Sequence, residues 1–365
     1  MDMKKKDIIL CVTFALLLVG GLVLCLFLPK SSYSDSERRM LSPMPELSAE
    51  NVWSGRFMSD FEGHAADAFP FRESFRRLKA MTALKVFARQ DNNGIYVSEG
   101  FLASMEYPMN EDSLVRAAGR FRYICEKYLT DENKVYLSVI PDKNCFLARE
   151  SGHPSMDYGV FEKRMEELAD FAEYIPVSDL LERGDYYRTD THWRQERITD
   201  VAQRLLQAMG AAASQDYEIH TLDRDFYGVY HGQAALPLAA DSLQYVTGDA
   251  ILGCQVHDWQ NNRRILVYDM EKAAGRDPYE MFLSGSLSLI TIENPGAGTD
   301  KKLVLFRDSF GSSIAPLLIC GYSQITLVDI RYIQPDLLGR FIDFPNCDVL
   351  FLYSTLVLNH SDTLR

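Results

Sequence analysis

Three residues of this chain have the types and the order that a covalent acyl-transfer relay requires. Ser309 closes the run Leu303-Val-Leu-Phe-Arg-Asp-Ser309, in which four apolar residues, Leu303 to Phe306, read as a buried strand. From Phe310 onward the apolar residues Phe310, Ile314, Leu317 and Leu318 recur at helical spacing. A strand that turns sharply into a helix lifts one residue above the carboxyl edge of a sheet and aims the first helical N–H groups at the same spot. A serine there has an exposed hydroxyl beside donors suited to a developing oxyanion. The plainer reading is a helix cap, a position serine favours. As a nucleophile the hydroxyl needs a base within reach, and the base needs a third group to fix its tautomer and steady its charge. Asp190 and His192, in Tyr186-Tyr-Arg-Thr-Asp-Thr-His-Trp193, supply those types just before a helix. Their two-residue separation lets the carboxylate meet one ring nitrogen while the other faces outward. The competing reading makes Asp190 or Thr191 a cap and His192 an exposed side chain.

The elements around these residues alternate. Asp112 to Tyr128 reads as a helix, Lys134 to Ile140 as a buried strand ending at Pro141-Asp-Lys143, and Phe161 to Tyr174 as a second helix before a short strand near Val177. Ile198, Val201, Ala202, Leu205, Leu206 and Met209 then mark one face of an amphipathic helix that stops at Gly210. After Ser309, strands over 325–328 and 349–353 flank a helix over 335–341. Alternation of this kind predicts an α/β fold with a mostly parallel sheet and helices on both faces. Chemistry in such sheets gathers at the carboxyl ends of the strands, which makes Lys143 a candidate substrate contact, although a strand-ending turn explains Pro141-Asp-Lys143 equally well. Residues 211–300 are less regular, with a strand at Arg264 to Tyr268, and read as an insertion packed on the main sheet within one domain spanning 51–365.

A net charge of −13 is unsuited to nucleic acid, whose phosphates require a basic surface. Ile8 to Leu28 is apolar apart from Thr13, two glycines and two cysteines. As a helix it rises about 31 Å, enough for a hydrocarbon core of about 30 Å. Lys4, Lys5 and Lys6 precede it, and Cys25-Leu-Phe-Leu-Pro29 offers no small-residue cleavage site. Residues 1–6 are thus expected as a cytoplasmic tail, 7–28 as an uncleaved transmembrane signal anchor, 29–50 as a stalk carrying Pro43 and Pro45, and the remainder as extracellular. The five cysteines beyond the span form no Cys-x-x-Cys pair and the seven histidines lack ligand spacing, so neither a metal nor another cofactor is implied.

Thr189-Asp-Thr-His-Trp193 ahead of an amphipathic helix, joined to Leu305-Phe-Arg-Asp-Ser-Phe310 after a strand, resembles the SGNH-hydrolase-like proteins of the AlgJ/AlgX type and their Gram-positive relatives, the DHHW-motif family. The N-terminal anchor, Asp67-Ala-Phe-Pro-Phe-Arg72, Ile140-Pro-Asp-Lys143, Tyr227-Gly228, Val328-Asp-Ile-Arg-Tyr332 and Asp348 to Tyr353 agree in order. The resemblance implies a flavodoxin-like SGNH fold in permuted motif order, with Ser309 as nucleophile, His192 as base and Asp190 as orienter. It offers Arg331 and Tyr332 as substrate contacts, with Arg331 steadying a negative charge near the site or serving equally as a structural salt-bridge arginine. It further implies O-acetyl transfer, or ester hydrolysis by the same chemistry, on a cell-envelope or exopolysaccharide glycan, with a multi-pass membrane acyltransferase as acetyl donor. Thr191 departs from the Asp-His-His-Trp pattern, Arg307 stands where many SGNH enzymes have glycine, and Gln195 to Ile198 lacks the Gly-Ala often found after the tryptophan. The alternative is a non-catalytic glycan-binding or assembly protein that keeps the fold, in which His192 would point away from Ser309.

Overall fold

The computed structural model describes residues 3–27, 31–34, 36–211 and 215–365. The expected end of the span at Leu28, the start of the stalk and residues 212–214 lie outside the described residues. The chain divides into two compact units, one of residues 1–92 with 232–237 and one of residues 93–231 with 238–365.

The first unit contains three principal helices, α1 (Met3–Phe27), α2 (Arg56–Asp67) and α3 (Arg72–Met81). Lys5–Cys25 of α1 is long and apolar enough to cross a membrane, with a mean hydropathy of 2.9. Beyond it, charge rather than apolar packing organises the unit. Arg39 forks onto Asp67 at 2.6 and 2.8 Å, and Arg72 and Arg76 both reach Glu37 and Glu73. Arg76 also donates to the Gly232 carbonyl at 2.6 Å. The expected stalk is therefore held in part by ion pairs: Glu37 and Arg39 belong to this network.

The second unit is built on eight strands: β1 (Val135–Ile140), β2 (Glu173–Tyr174), β3 (Gln255–Asp258), β4 (Arg263–Ile265), β5 (Leu289–Glu293), β6 (Lys302–Arg307), β7 (Gln324–Val328) and β8 (Cys347–Ser354). They lie in the order β4-β3-β5-β7-β6-β8-β1-β2. The run β7-β6-β8-β1-β2 is parallel, and β5, β3 and β4 extend it antiparallel. The α/β class and the mostly parallel sheet expected from the sequence are present. Three strands of the segment expected as an insertion, β3, β4 and β5, are members of the main sheet itself. Its other part forms a separate hairpin, Glu218–Phe226 against Asp241–Thr247.

The central strands are continuous apolar runs because both of their faces are covered. Along β6, Leu303 and Leu305 enter one core while Val304 and Phe306 enter the other. Along β8, Leu350 and Leu352 alternate in the same way with Val349 and Phe351. The first core is closed by α6 (Thr199–Ala208) and α7 (Phe310–Leu318), through Val201, Leu205, Phe310, Ile314 and Leu317. The second is closed by α4 (Glu111–Tyr128) and α5 (Tyr158–Leu168), through Leu114, Phe121, Phe161 and Met165. Each such buried side chain contributes about 1.5–3 kcal/mol, which makes the β6–β8 pair a rigid base for what stands at its carboxyl edge.

Candidate active site

The strand ends β6, β8 and β1 are neighbours, and their side chains lock them together. Asp308, fully buried, accepts from the Ser354 N–H at 2.8 Å and from the Ser354 hydroxyl at 2.6 Å. Thr355 donates its hydroxyl to Asp142 at 2.7 Å, and Tyr158 donates to the same oxygen at 2.8 Å. Burial, assisted by the Glu106 carboxylate, pushes Asp142 up to about 6. The next residue, Lys143, donates to the carbonyls of Tyr187, Arg188 and Asp190 at 2.6–3.2 Å. A hydrogen-bonded rail thus runs from the turn after β6 to the loop that carries Asp190 and His192.

That loop is a tight return. Tyr186 pairs with Trp193 in an antiparallel bridge, and the Tyr187 N–H donates to the His192 carbonyl at 3.1 Å. At its tip one carboxylate organises the backbone: Asp241 accepts from the Arg188 N–H at 2.9 Å, the Thr189 N–H at 2.8 Å and the Thr189 hydroxyl at 2.5 Å. Thr189 accepts in turn from the Gly228 N–H at 2.9 Å. Gly228 passes so close that a Cβ on it would stand 2.2 Å from the Asp190 Cβ and 2.3 Å from its Cα. This approach lets the Val229 N–H donate to Asp190 Oδ2 at 2.9 Å.

The other Asp190 oxygen belongs to His192: Oδ1 accepts from the His192 N–H at 3.1 Å and lies 2.6 Å from Nδ1. On the far side of the ring, Nε2 lies 2.7 Å from Ser309 Oγ. Asp190 is buried and the His192 side chain is 12% exposed, while Ser309 opens partly to solvent. Ser309 occupies the N-cap position of α7, yet its hydroxyl makes no capping bond and turns to the imidazole instead. A ring between a carboxylate and a hydroxyl, one nitrogen to each, can move the hydroxyl proton without itself turning.

The ring is held from below. Tyr279 stacks on it at 3.9 Å between centroids and 9° between planes, and its hydroxyl donates to Ser313 Oγ at 2.9 Å. Trp193 Nε1 donates to the same oxygen at 2.9 Å, and Ser313 donates to the Phe310 carbonyl at 3.2 Å. All three hydrogen-bonding capacities of that hydroxyl are filled. Gln195 completes the clamp, donating to the Ser313 carbonyl at 2.7 Å and accepting from the Val246 N–H at 2.9 Å.

The expected oxyanion donors of the turn are mostly engaged. The Phe310 N–H goes to Asp308 Oδ1, the Gly311 N–H to the Asp308 carbonyl and the Ser312 N–H to the Ser309 carbonyl. Lys143, expected as a substrate contact, is fully buried, and its ammonium donates to three carbonyls of the Asp190 loop. Burial pushes it down to about 7, while three acceptor partners suit the three donors of the charged form. Arg331 forks onto Asp329 at 2.9 and 2.7 Å, and that pairing holds it charged. Tyr332 beside it is half exposed, its ring 5.4 Å from the Arg331 guanidinium carbon. Ser309, His192 and Asp190 are brought together, Lys143 reaches them through the Asp190 carbonyl, and Arg331 is paired with Asp329 instead. Among the described residues no group of three or more His, Cys, Asp or Glu side chains could hold a metal ion.

No protein-family model and no curated protein matches the chain. Solved structures do. A DHHW family protein from Eubacterium siraeum is similar with a TM-score of 0.58 and 17% identity, over 73% of this chain and 93% of that one. The fold is that of the DHHW family protein. Bacillus cereus PatB1 shares this DHHW-type fold with a TM-score of 0.57 and 17% identity, over 72% of this chain and 96% of that one. PatB1 with a sulfonyl adduct matches at 0.55 and 18% identity, over 72% and 97%. Sequence reasoning reached the DHHW-type core through Asp190, His192 and Ser309. It missed Gly228, Asp241 and Tyr279 as parts of the site, which lie 38, 51 and 89 residues beyond Asp190, although Tyr227-Gly228 stood among the motifs of the resemblance.

Proposed function

We propose that this chain is a serine-dependent O-acyltransferase, or an esterase by the same chemistry, that acts outside the membrane through an acyl-enzyme on Ser309. The observation that carries the reading is the unbroken relay Asp190–His192–Ser309, with contacts of 2.6 and 2.7 Å. His192 Nε2 takes the Ser309 proton as Oγ bonds to the acyl carbon of the donor. The tetrahedral adduct collapses with cleavage of the donor ester, and the same Nε2 returns the proton to the leaving oxygen. An acceptor hydroxyl, from a sugar or from water, then loses its proton to Nε2 and attacks the acyl-enzyme, restoring Ser309. Asp190 fixes the Nδ1–H tautomer and offsets the imidazolium charge throughout. With the following N–H groups engaged, the Ser309 N–H is the turn's candidate donor for the oxyanion.

A glycan acceptor, an acetyl group and a multi-pass membrane acyltransferase as donor follow from the sequence resemblance. The anchor reading of α1, with the lysines inside, puts the acceptor in the cell envelope. The sulfonyl adduct of PatB1, a protein of the same fold, suggests a probe. Ser309 Oγ should displace fluoride ion from a sulfonyl fluoride, its proton passing to His192, and the Ser309 peptide should gain the sulfonyl mass, while p-nitrophenyl acetate should be turned over. Ser309→Ala should abolish the labelling and lower turnover by roughly 10⁴- to 10⁶-fold, the scale of losing a triad member. Near-normal turnover by the purified variant would end this reading. The non-catalytic alternative needs an imidazole turned from the serine, and no contact at the site favours it.

A further inference from the structure

The first unit presents an apolar surface that its own packing does not use. In α3 and the π-helical turn that continues it, Thr82–Val86, the side chains of Phe71, Phe75, Leu78 and Val86 are each more than half exposed. Phe71, Phe75 and Leu78 recur at i, i+4 and i+7, so they share one helix face. Phe71 even adopts a left-handed backbone, φ 56°, at the helix N-terminus while 64% exposed, a conformation a bulky residue holds at a cost. The opposite face is fixed within the unit, where Arg72 and Arg76 bind Glu37 and Glu73.

Two further observations say what covers this face. The first is charge. Residues 71–90 hold Arg72, Arg76, Arg77, Lys79, Lys85 and Arg89 against Glu73 alone, in a chain whose net charge is −13. Arg77, Lys79, Lys85 and Arg89 are exposed. The second is position. A cavity of about 580 Å³ is lined jointly by Cys25, at the end of the membrane-spanning stretch, and by Phe69, Phe71 and Arg77. The start of α3 therefore stands at the level where α1 leaves the hydrocarbon. An apolar helix face edged by lysine and arginine, held at that depth, matches an anionic lipid surface.

We infer that α3 and its π-helical continuation form a second, interfacial anchor on anionic lipid, with Phe71, Phe75 and Leu78 in the acyl boundary and Arg77, Lys79 and Lys85 at the headgroup phosphates. The inference rests on α1 as a membrane span, and the test separates the two. The full chain, carrying a protease site inserted at residues 28–30, is reconstituted in vesicles of phosphatidylcholine alone or with a third phosphatidylglycerol. Before cleavage the protein must float with both vesicle types; if it does not, the span reading has failed. After cleavage at low salt the body should stay with the anionic vesicles and leave the neutral ones, and about 1 M salt should release it. Arg77→Gln with Lys85→Gln should lower the bound-to-free ratio by roughly 30-fold, and Leu78→Glu should release the body. Neither variant touches the Ser309 relay, so unchanged p-nitrophenyl acetate turnover certifies the fold. Release from both vesicle types alike overturns the inference. Retention only in native membranes, with their proteins, overturns it in favour of a protein partner.

Discussion

Ser309 was legible from its neighbours because a buried run ending in Asp-Ser, followed by helical spacing, has few geometric outcomes. Asp190 and His192 were legible because chemistry demands those types, and two residues is a separation one loop can close. Gly228 was not, since its role exists only when another segment's backbone lies against it. That role makes a sharp prediction. Gly228→Ala places a methyl carbon within 2.5 Å of the Asp190 Cβ, Cα and N, atoms that cannot swing aside. The connection at Tyr227-Gly228 must back away, and Val229 loses its bond to Asp190 Oδ2. A shift of about 1 Å in the orienting carboxylate should lower kcat on a small acetyl ester by about 100-fold, with KM little changed. Crowding should also cost about 1–3 kcal/mol in thermal unfolding. Wild-type turnover with a wild-type melting curve would mean that the Gly228 contact positions nothing.

At the scale of elements, strand and helix alternation exposed β1, β6, β7, β8 and the helices α4 to α7, because fully buried strands are continuous apolar runs. β3 was hidden, and β4 overlaps only the start of the strand expected over Arg264 to Tyr268. They are short and partly exposed, and Gln255, His257, Arg263 and Arg264 break the apolar pattern. The helix expected over 335–341 is a 3₁₀ turn, Pro335–Arg340, that begins at Pro335. The 3₁₀ turn Pro278–Met281 also escaped notice, although it carries Tyr279 under the imidazole. Tyr279 does two things, and substitution separates them. Tyr279→Phe keeps the ring beneath His192 and removes only the hydroxyl bond to Ser313, which retains Trp193. That should cost about 1 kcal/mol of stability and a few-fold in kcat. Tyr279→Leu also removes an aromatic face that stabilises the imidazolium formed during transfer. Its kcat should fall about tenfold further, on the scale of a cation–π contact in a partly desolvated site. Equal losses in the two variants would assign the whole effect to the hydroxyl.

Over the whole molecule, charge is distributed by distance from the span. The first 92 residues carry a net +2, so the segment after them carries −15 of the chain's −13. A body of that charge is repelled by an anionic surface unless something tethers it, and on the reading proposed above α1 and the basic face of α3 would be two tethers of different kinds. The sequence offered the first as an expectation, through an apolar run long enough to cross a membrane. It did not announce the second, because Phe71, Phe75 and Leu78 read equally well as core until the fold left them outside. If the acyl donor resides in the membrane, tethering raises the local concentration at which donor and Ser309 meet. Cutting the chain at residues 28–30 in the Arg77→Gln, Lys85→Gln background removes both tethers and leaves the relay intact. Turnover of p-nitrophenyl acetate, which needs no membrane, should stay within about twofold of wild type. Acetylation of envelope glycan in membranes that contain the donor should fall by about 100-fold, the low end of what linked binding contributes. Equal retention of both activities would place the donor in solution, and equal loss would mean that the cut had damaged the body rather than freed it.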